Sequence, residues 1–424
     1  MGDDDGGSGG VPWRSGRLYL LLATAAVAPL DVNIVGPALP AVAEAFDVSS
    51  ARSGLVITAF AAPGAFLAPV VGMYADRFGR RRVVVPCLLI FGVAGVAVTV
   101  VTEFWTVLAL RAVQGSVGGS ILASLAMALV GDYYDGTQRN AVMGVVSASV
   151  SVSAAVGPVL GGMLAARAWD APFYLYGVSV VVAALVYGFL DPPPASANGK
   201  ERATGTGVGY LRAAVASLPT REALTVYGAT LLSFVLFFGG VLTAVPFLLA
   251  GTYGLASGRV GALVTGAMSL AAVVAVFNGR FARYLSNLGM VTAGFVAYAV
   301  GLVGVWASSS ALGILLALCV FGVGHGLVLP SVASALSALA GPEFRGGVMS
   351  LRTSVVLGAQ AIGPPLFTLP AARVGYELPL GVASPSSAPA SSPSPCSSPS
   401  AAGPASSDRR RGSDRASRVA KGNA

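Results

Sequence analysis

Few residues in this chain could do chemistry, and most of them stand in apolar surroundings. Asp31 lies in Leu30-Asp31-Val32-Asn33, and no other carboxylate before the tail is so deep in an apolar run. A carboxyl held away from water can take up and release a proton. Arg111 and Gln114 follow in Leu108-Ala109-Leu110-Arg111-Ala112-Val113-Gln114-Gly115, again several residues inside an apolar stretch. A cation at mid-bilayer depth costs roughly 2.5–3.5 kcal/mol even on insertion scales. Arg111 therefore needs a partner, or must snorkel to the surface. Asp31 is accordingly either a proton carrier or the fixed counterion of Arg111. A third cluster runs from Gly72 through Asp76, Arg77, Gly79, Arg80 and Arg81 to Arg82. There Gly72 permits close helix approach, Asp76 can cap a helix N-terminus, and the arginines can bridge to neighbouring carboxylates. His325, in Gly324-His325-Gly326, either titrates near neutral pH or packs through a hydrogen bond. None of this builds an enzyme. No nucleophile–base pair or phosphate-binding Walker loop can be assembled. The three cysteines share no metal spacing and there is a single histidine. Neither a metal nor a cofactor is expected.

The elements that must carry these residues are membrane helices. Hydrophobic residues make up 55% of the 424 and charged ones 10%, against about 25% charged in a soluble domain. Such a chain cannot cover a water-facing surface. The excess of basic residues is thus read by position, as loop charge facing a bilayer and not as a nucleic-acid footprint. Helices of ~20 apolar residues fit eleven runs, roughly 18–40, 53–74, 83–101, 105–130, 140–165, 172–190, 223–250, 260–278, 289–307, 311–333 and 347–370. Placing residues 1–17 in the cytoplasm puts fourteen loop Lys and Arg inside against three outside, Arg52, Arg167 and Arg259. That bias orients the chain with a cytoplasmic N-terminus. Residues 191–222 are polar and rich in Pro, Gly and Ser, the composition of a flexible cytoplasmic linker. They separate a six-helix bundle at 18–190 from a second bundle at 223–370, in which five spans are recognisable. Residues 371–424 are low-complexity Ser, Pro and Ala ending in Arg, which predicts a disordered tail in place of a twelfth span. An out-of-frame reading of a GC-rich gene would yield such a composition.

The motifs and their placement resemble the major facilitator superfamily. Gly72-Met73-Tyr74-Ala75-Asp76-Arg77-Phe78-Gly79-Arg80-Arg81 is similar to the signature of that family between spans two and three. The resemblance implies a cytoplasmic latch built from Gly72, Asp76, Arg77, Gly79, Arg80 and Arg81, with Asp132 at the end of span four as a partner for Arg80. Arg111, Gln114 and Gly115 resemble the family's R-x-x-Q-G motif. Leu30-Asp31-Val32-Asn33 through Ala38-Leu39-Pro40 resembles the span-one motif of drug:proton antiporters, with Asn33 in place of the usual Thr. Ser153 through Gly157, Pro158, Gly161 and Gly162 is similar to the antiporter motif on span five, with Ser153 replacing its first Gly.

The resemblance implies an all-α polytopic fold of two six-helix bundles, the second lacking its last helix. It implies a monomeric transporter in the cell membrane that works by alternating access. In this reading Asp31 exchanges a proton with substrate while Arg111 and Gln114 tune it. One carboxylate among apolar residues favours hydrophobic or cationic compounds; several facing acids and bases would favour a sugar or other polar metabolite. A membrane protein that does not transport is the remaining alternative, supported by the absent twelfth span. Phe234, Phe237, Phe238 and Tyr227 recur at helical spacing on span seven, where they line a cavity or face lipid.

Overall fold

The computed structural model describes residues 10–192, 220–339 and 345–374. The side chains of Asp76, Arg345, Gly346, Gly347, Ser350, Arg373 and Val374 lie outside that description, as do nearly all of the expected linker and tail. Among the described residues every regular element is helical. Ten helices are long and apolar enough to cross a bilayer, or eleven spans with one bent pair taken together.

The bent pair is span one. A single helix over 18–40 is expected from the sequence, but the structure has Gly16–Val27 and Leu30–Ala45, meeting at 46°. Pro29 stands at the break. It has no N–H to donate, and its ring crowds the carbonyl one turn back, so continuous helical bonding stops there. Span two is Ser50–Phe78 and span three starts at Arg80, with the turn made at Gly79 (φ 96°). Span four, Phe104–Tyr133, is also interrupted, at Gly118 and Gly119 between two helices. Span five is Gly136–Ala165 and span six Ala171–Phe189.

Spans seven to eleven are Thr220–Gly251, Ser257–Phe281, Asn287–Ala307, Ala311–Leu339 and Arg345–Val374. Span seven is not the uniform helix its hydropathy suggests, because Leu236–Ala244 winds as a π-helix. Thr243 Oγ1 donates to the Phe238 carbonyl at 2.7 Å within it. Two expected boundaries move. Span seven is already helical at Thr220, inside the segment assigned to the linker, and span eleven is still helical at Val374, past the expected start of the tail at 371. In both cases polar or Pro-containing turns at the helix ends weaken the apolar signal while the backbone hydrogen bonds continue.

Span two packs along span eleven and span five along span eight, and these two seams join the halves of the fold. The span-five seam depends on small residues. A Cβ on Gly161 would run into the Ile34 carbonyl of span one, and one on Gly162 into the Ser257 carbonyl of span eight. Only glycine lets three backbones approach so closely. Ser153 Oγ donates to the Ala26 carbonyl at 2.6 Å, another tie between spans five and one. On the other seam Thr58 Oγ1 donates to the Ala361 carbonyl at 2.8 Å. Gly157, Gly161 and Gly162 lie in the half of span five remote from the Gly79 turn, so this close-packed seam lies at the end opposite that turn.

Candidate functional site

The breaks in spans one and four place the chemistry. Interrupting span one at Pro29 frees main-chain carbonyls at Leu30 and Asp31, and buried carbonyls must find donors. Tyr176 Oη, from the start of span six, donates to the Asp31 carbonyl at 2.7 Å. Arg111 Nη2 donates to the same oxygen at 3.1 Å. Arg111 also reaches Gln114 Oε1 at 2.5 Å, Tyr176 Oη at 3.2 Å and the Val56 carbonyl at 3.4 Å. Its guanidinium carbon stands 4.4 Å from the Phe60 ring centroid. Gln114 Nε2 donates in turn to the Phe91 carbonyl at 3.1 Å.

Arg111 and Gln114 are fully buried. The snorkelling arrangement therefore does not occur: with donors satisfied on spans one, two, four and six, the cation has no need of surface water. Its hydrogen bond to Asp31 goes to the main chain, which leaves the carboxylate facing elsewhere.

That carboxylate lines a cavity of about 750 Å³ between the two halves. Asp31 Oδ1 accepts from the Val32 N–H at 2.6 Å. Gly119, in the break of span four, has φ 56°, and a Cβ there would sit 2.6 Å from Asp31 Oδ2. Glycine is thus required at this position both for its left-handed backbone and for room beside the acid. Asn33 turns its amide back to the Pro29 carbonyl at 2.6 Å. From the other half, Gln360 of span eleven lies beside Asp31. Its Nε2 is buried and completes no hydrogen bond.

The rest of the wall is largely apolar. Phe234, Phe237 and Phe238 all line the cavity, while Tyr227 instead donates to the Val348 carbonyl at 3.0 Å. The wider π-helical turn begins just before the two adjacent phenylalanines, and such turns recur at functional sites. His325 also lines the cavity, stacked on Phe237 with centroids 4.6 Å apart and with Nδ1 2.9 Å from Tyr298 Oη. Arg352 of span eleven completes the wall. The lining residues Ala275, Arg352 and Thr353 lie in the halves of their spans nearer the Gly79 turn, on the opposite side of the cavity from the glycine seal.

The charged turn is a separate site. Arg80 Nη1 meets Asp132 Oδ1 at 2.7 Å and the Ala128 carbonyl at 2.8 Å, and Arg81 donates to the Tyr187 carbonyl at 2.6 Å. These contacts stay within the first six spans. Arg77 stands over Phe78, 5.5 Å from the ring centroid. Asp76 lies in the last turn of span two, and its side chain is outside the description. Gly72 does not serve close packing as expected: no described residue lies within 4 Å of where its Cβ would be.

Sequence reasoning missed Tyr176, Gln360 and Arg352. Tyr176 is an ordinary residue for a membrane helix, whereas Gln360 is a polar side chain inside the apolar run 347–370. Arg352 did carry a signal, a charge inside the apolar run 347–370.

The sequence profile described as Major Facilitator Superfamily matches residues 21–364. The chain is 24% identical over 366 residues to the bacillibactin exporter of Bacillus subtilis (strain 168), covering 83% of this chain and 89% of that protein. It is 25% identical over 349 residues to multidrug resistance protein 1 of the same organism, covering 80% and 86%. Among solved structures, a bacterial homologue of the human lysosomal transporter Spinster, in an inward-facing and unoccupied conformation, matches with a TM-score of 0.68 at 19% identity. That match covers 85% of this chain and 83% of the other.

Proposed function

The chain belongs to the major facilitator superfamily, and on that premise we propose that it exports small amphipathic, drug-like compounds from the cytoplasm in exchange for protons. The observation that carries this reading is the placement of Asp31. It is the acid on the wall of a mostly apolar cavity, at the seam between two halves that can rock about it. Asp31 binds either a proton or the cationic part of a substrate, and the proton gradient drives the cycle without a cofactor. Arg111, Gln114 and Tyr176 hold the broken span so that the carboxyl group keeps its position. The names of the relatives, which include a multidrug resistance protein and a bacillibactin exporter, agree with export of organic molecules.

In this reading the N-terminus is cytoplasmic and the protein works as a monomer. The cavity then lies toward the cytoplasm and the glycine seam of Gly157, Pro158, Gly161 and Gly162 closes the outside, a state ready to load. The charged turn latches the cytoplasmic ends when the cavity faces outward, and the Arg80–Asp132 pair keeps that turn in shape.

Two measurements test the reading. In proteoliposomes with an imposed pH gradient, Asp31→Asn should abolish gradient-driven efflux of a fluorescent lipophilic cation while the protein still inserts and folds. Undiminished pH-dependent efflux by that variant would refute the coupling role. Asp76→Asn should lower turnover severalfold with little change in substrate affinity; the reverse pattern would place the turn at the substrate site.

A further inference from the structure

Arg352 is a cation on the cavity wall with no protein partner. Among the described residues it makes no hydrogen bond or ion pair, and its Nε is buried and unsatisfied. A guanidinium offers five donors in a fixed planar fork, a shape that matches carboxylate and phosphate oxygens. A guanidinium placed against apolar walls without a protein partner favours an anionic group that enters the cavity. Gln360, two turns further along the same face of span eleven, lies beside Asp31 at the other end of the cavity. The rise between residues 352 and 360 is about 12 Å. The cavity thus has a basic pole and an acidic pole about two helical turns apart, with Phe237, Phe238 and Met268 on its walls.

From these two poles we infer that the site takes zwitterionic amphipaths: a cationic group at Asp31, an anionic group at Arg352, and an aromatic or apolar body between them. This rests on the exporter reading above and narrows it. The sign of coupling supports the choice. A ligand's cationic group and a proton compete for Asp31, which is what exchange requires. A ligand that is only anionic would be repelled by ionised Asp31 and favoured when the proton is bound, the arrangement of co-transport. A ligand that is only cationic would leave Arg352 uncompensated.

The test uses a matched pair of dyes, zwitterionic rhodamine B and its ethyl ester, which carries the cation alone. Binding to the purified full chain is followed by fluorescence polarisation, and transport is followed in proteoliposomes. The wild-type chain should bind the zwitterion about tenfold more tightly than the ester, as a charge-assisted contact implies. Arg352→Gln should bring the ratio close to one, and Arg352→Lys should keep part of the preference. Equal affinities in the wild type, or a preference that survives Arg352→Gln, would overturn the inference. If the preference is found but a pH gradient moves neither dye, the exporter reading fails and the zwitterion site stands. If both dyes move equally well and bind equally, the reverse holds.

Discussion

Two arginines lie inside the membrane region, and the protein treats them in opposite ways. Arg111 is fully buried; it bonds to Gln114, Tyr176 and the carbonyls of Val56 and Asp31, and it lies over the Phe60 ring. Arg352 lines the cavity and makes no hydrogen bond or ion pair among the described residues. The first cation is part of the architecture. It gathers spans one, two, four and six around the break at Pro29, and its removal would take a donor from the Val56 carbonyl and Gln114 Oε1 and leave the Asp31 carbonyl to Tyr176 alone. The second supports nothing, so its desolvation is offset only when a ligand or water reaches it. A charge in an apolar span marks a site only after its partners have been counted.

Substituting both arginines with the same apolar residue tests that contrast. Arg111→Met should lower stability by about 3–5 kcal/mol, the range for breaking a buried polar cluster by removing one member. Reversible unfolding in mixed micelles measures it, and a loss under about 1 kcal/mol would break the comparison. Tyr176→Phe removes one hydroxyl from the same cluster while keeping the ring between Phe91 and Phe173. It should cost about 1–3 kcal/mol by the same assay, since the broken span then keeps one donor fewer. The smallest effect is expected for Arg352→Met. Replacing an unpartnered cation with an apolar side chain of similar reach should leave stability unchanged or slightly higher. A destabilisation as large as that of Arg111→Met would mean Arg352 is structural after all.

The sequence alone determined the class of molecule. Low charge and runs of ~20 apolar residues leave only membrane helices, because backbone groups in lipid must bond within their own segment. It also determined which side chains were unusual, since Asp31, Arg111, Gln114 and the turn from Gly72 to Arg82 violate that apolar background. The span-five glycines were legible too: Gly157, Gly161 and Gly162 match a spacing that suits close helix packing. What the tertiary structure decided was the company each residue keeps. Hydropathy averages over a window and cannot register a break such as Pro29 or Gly119, or the π-helical Leu236–Ala244, so the bends that aim Asp31, Phe237 and Phe238 into one cavity were invisible. Distance along the chain hides the rest: Gln360 meets Asp31, and Tyr176 meets Arg111, only because helices far apart in sequence pack side by side. The same packing separates Arg111 from Arg352, residues alike in sequence terms, into one cation that is fully partnered and one that lines the cavity with its Nε unsatisfied.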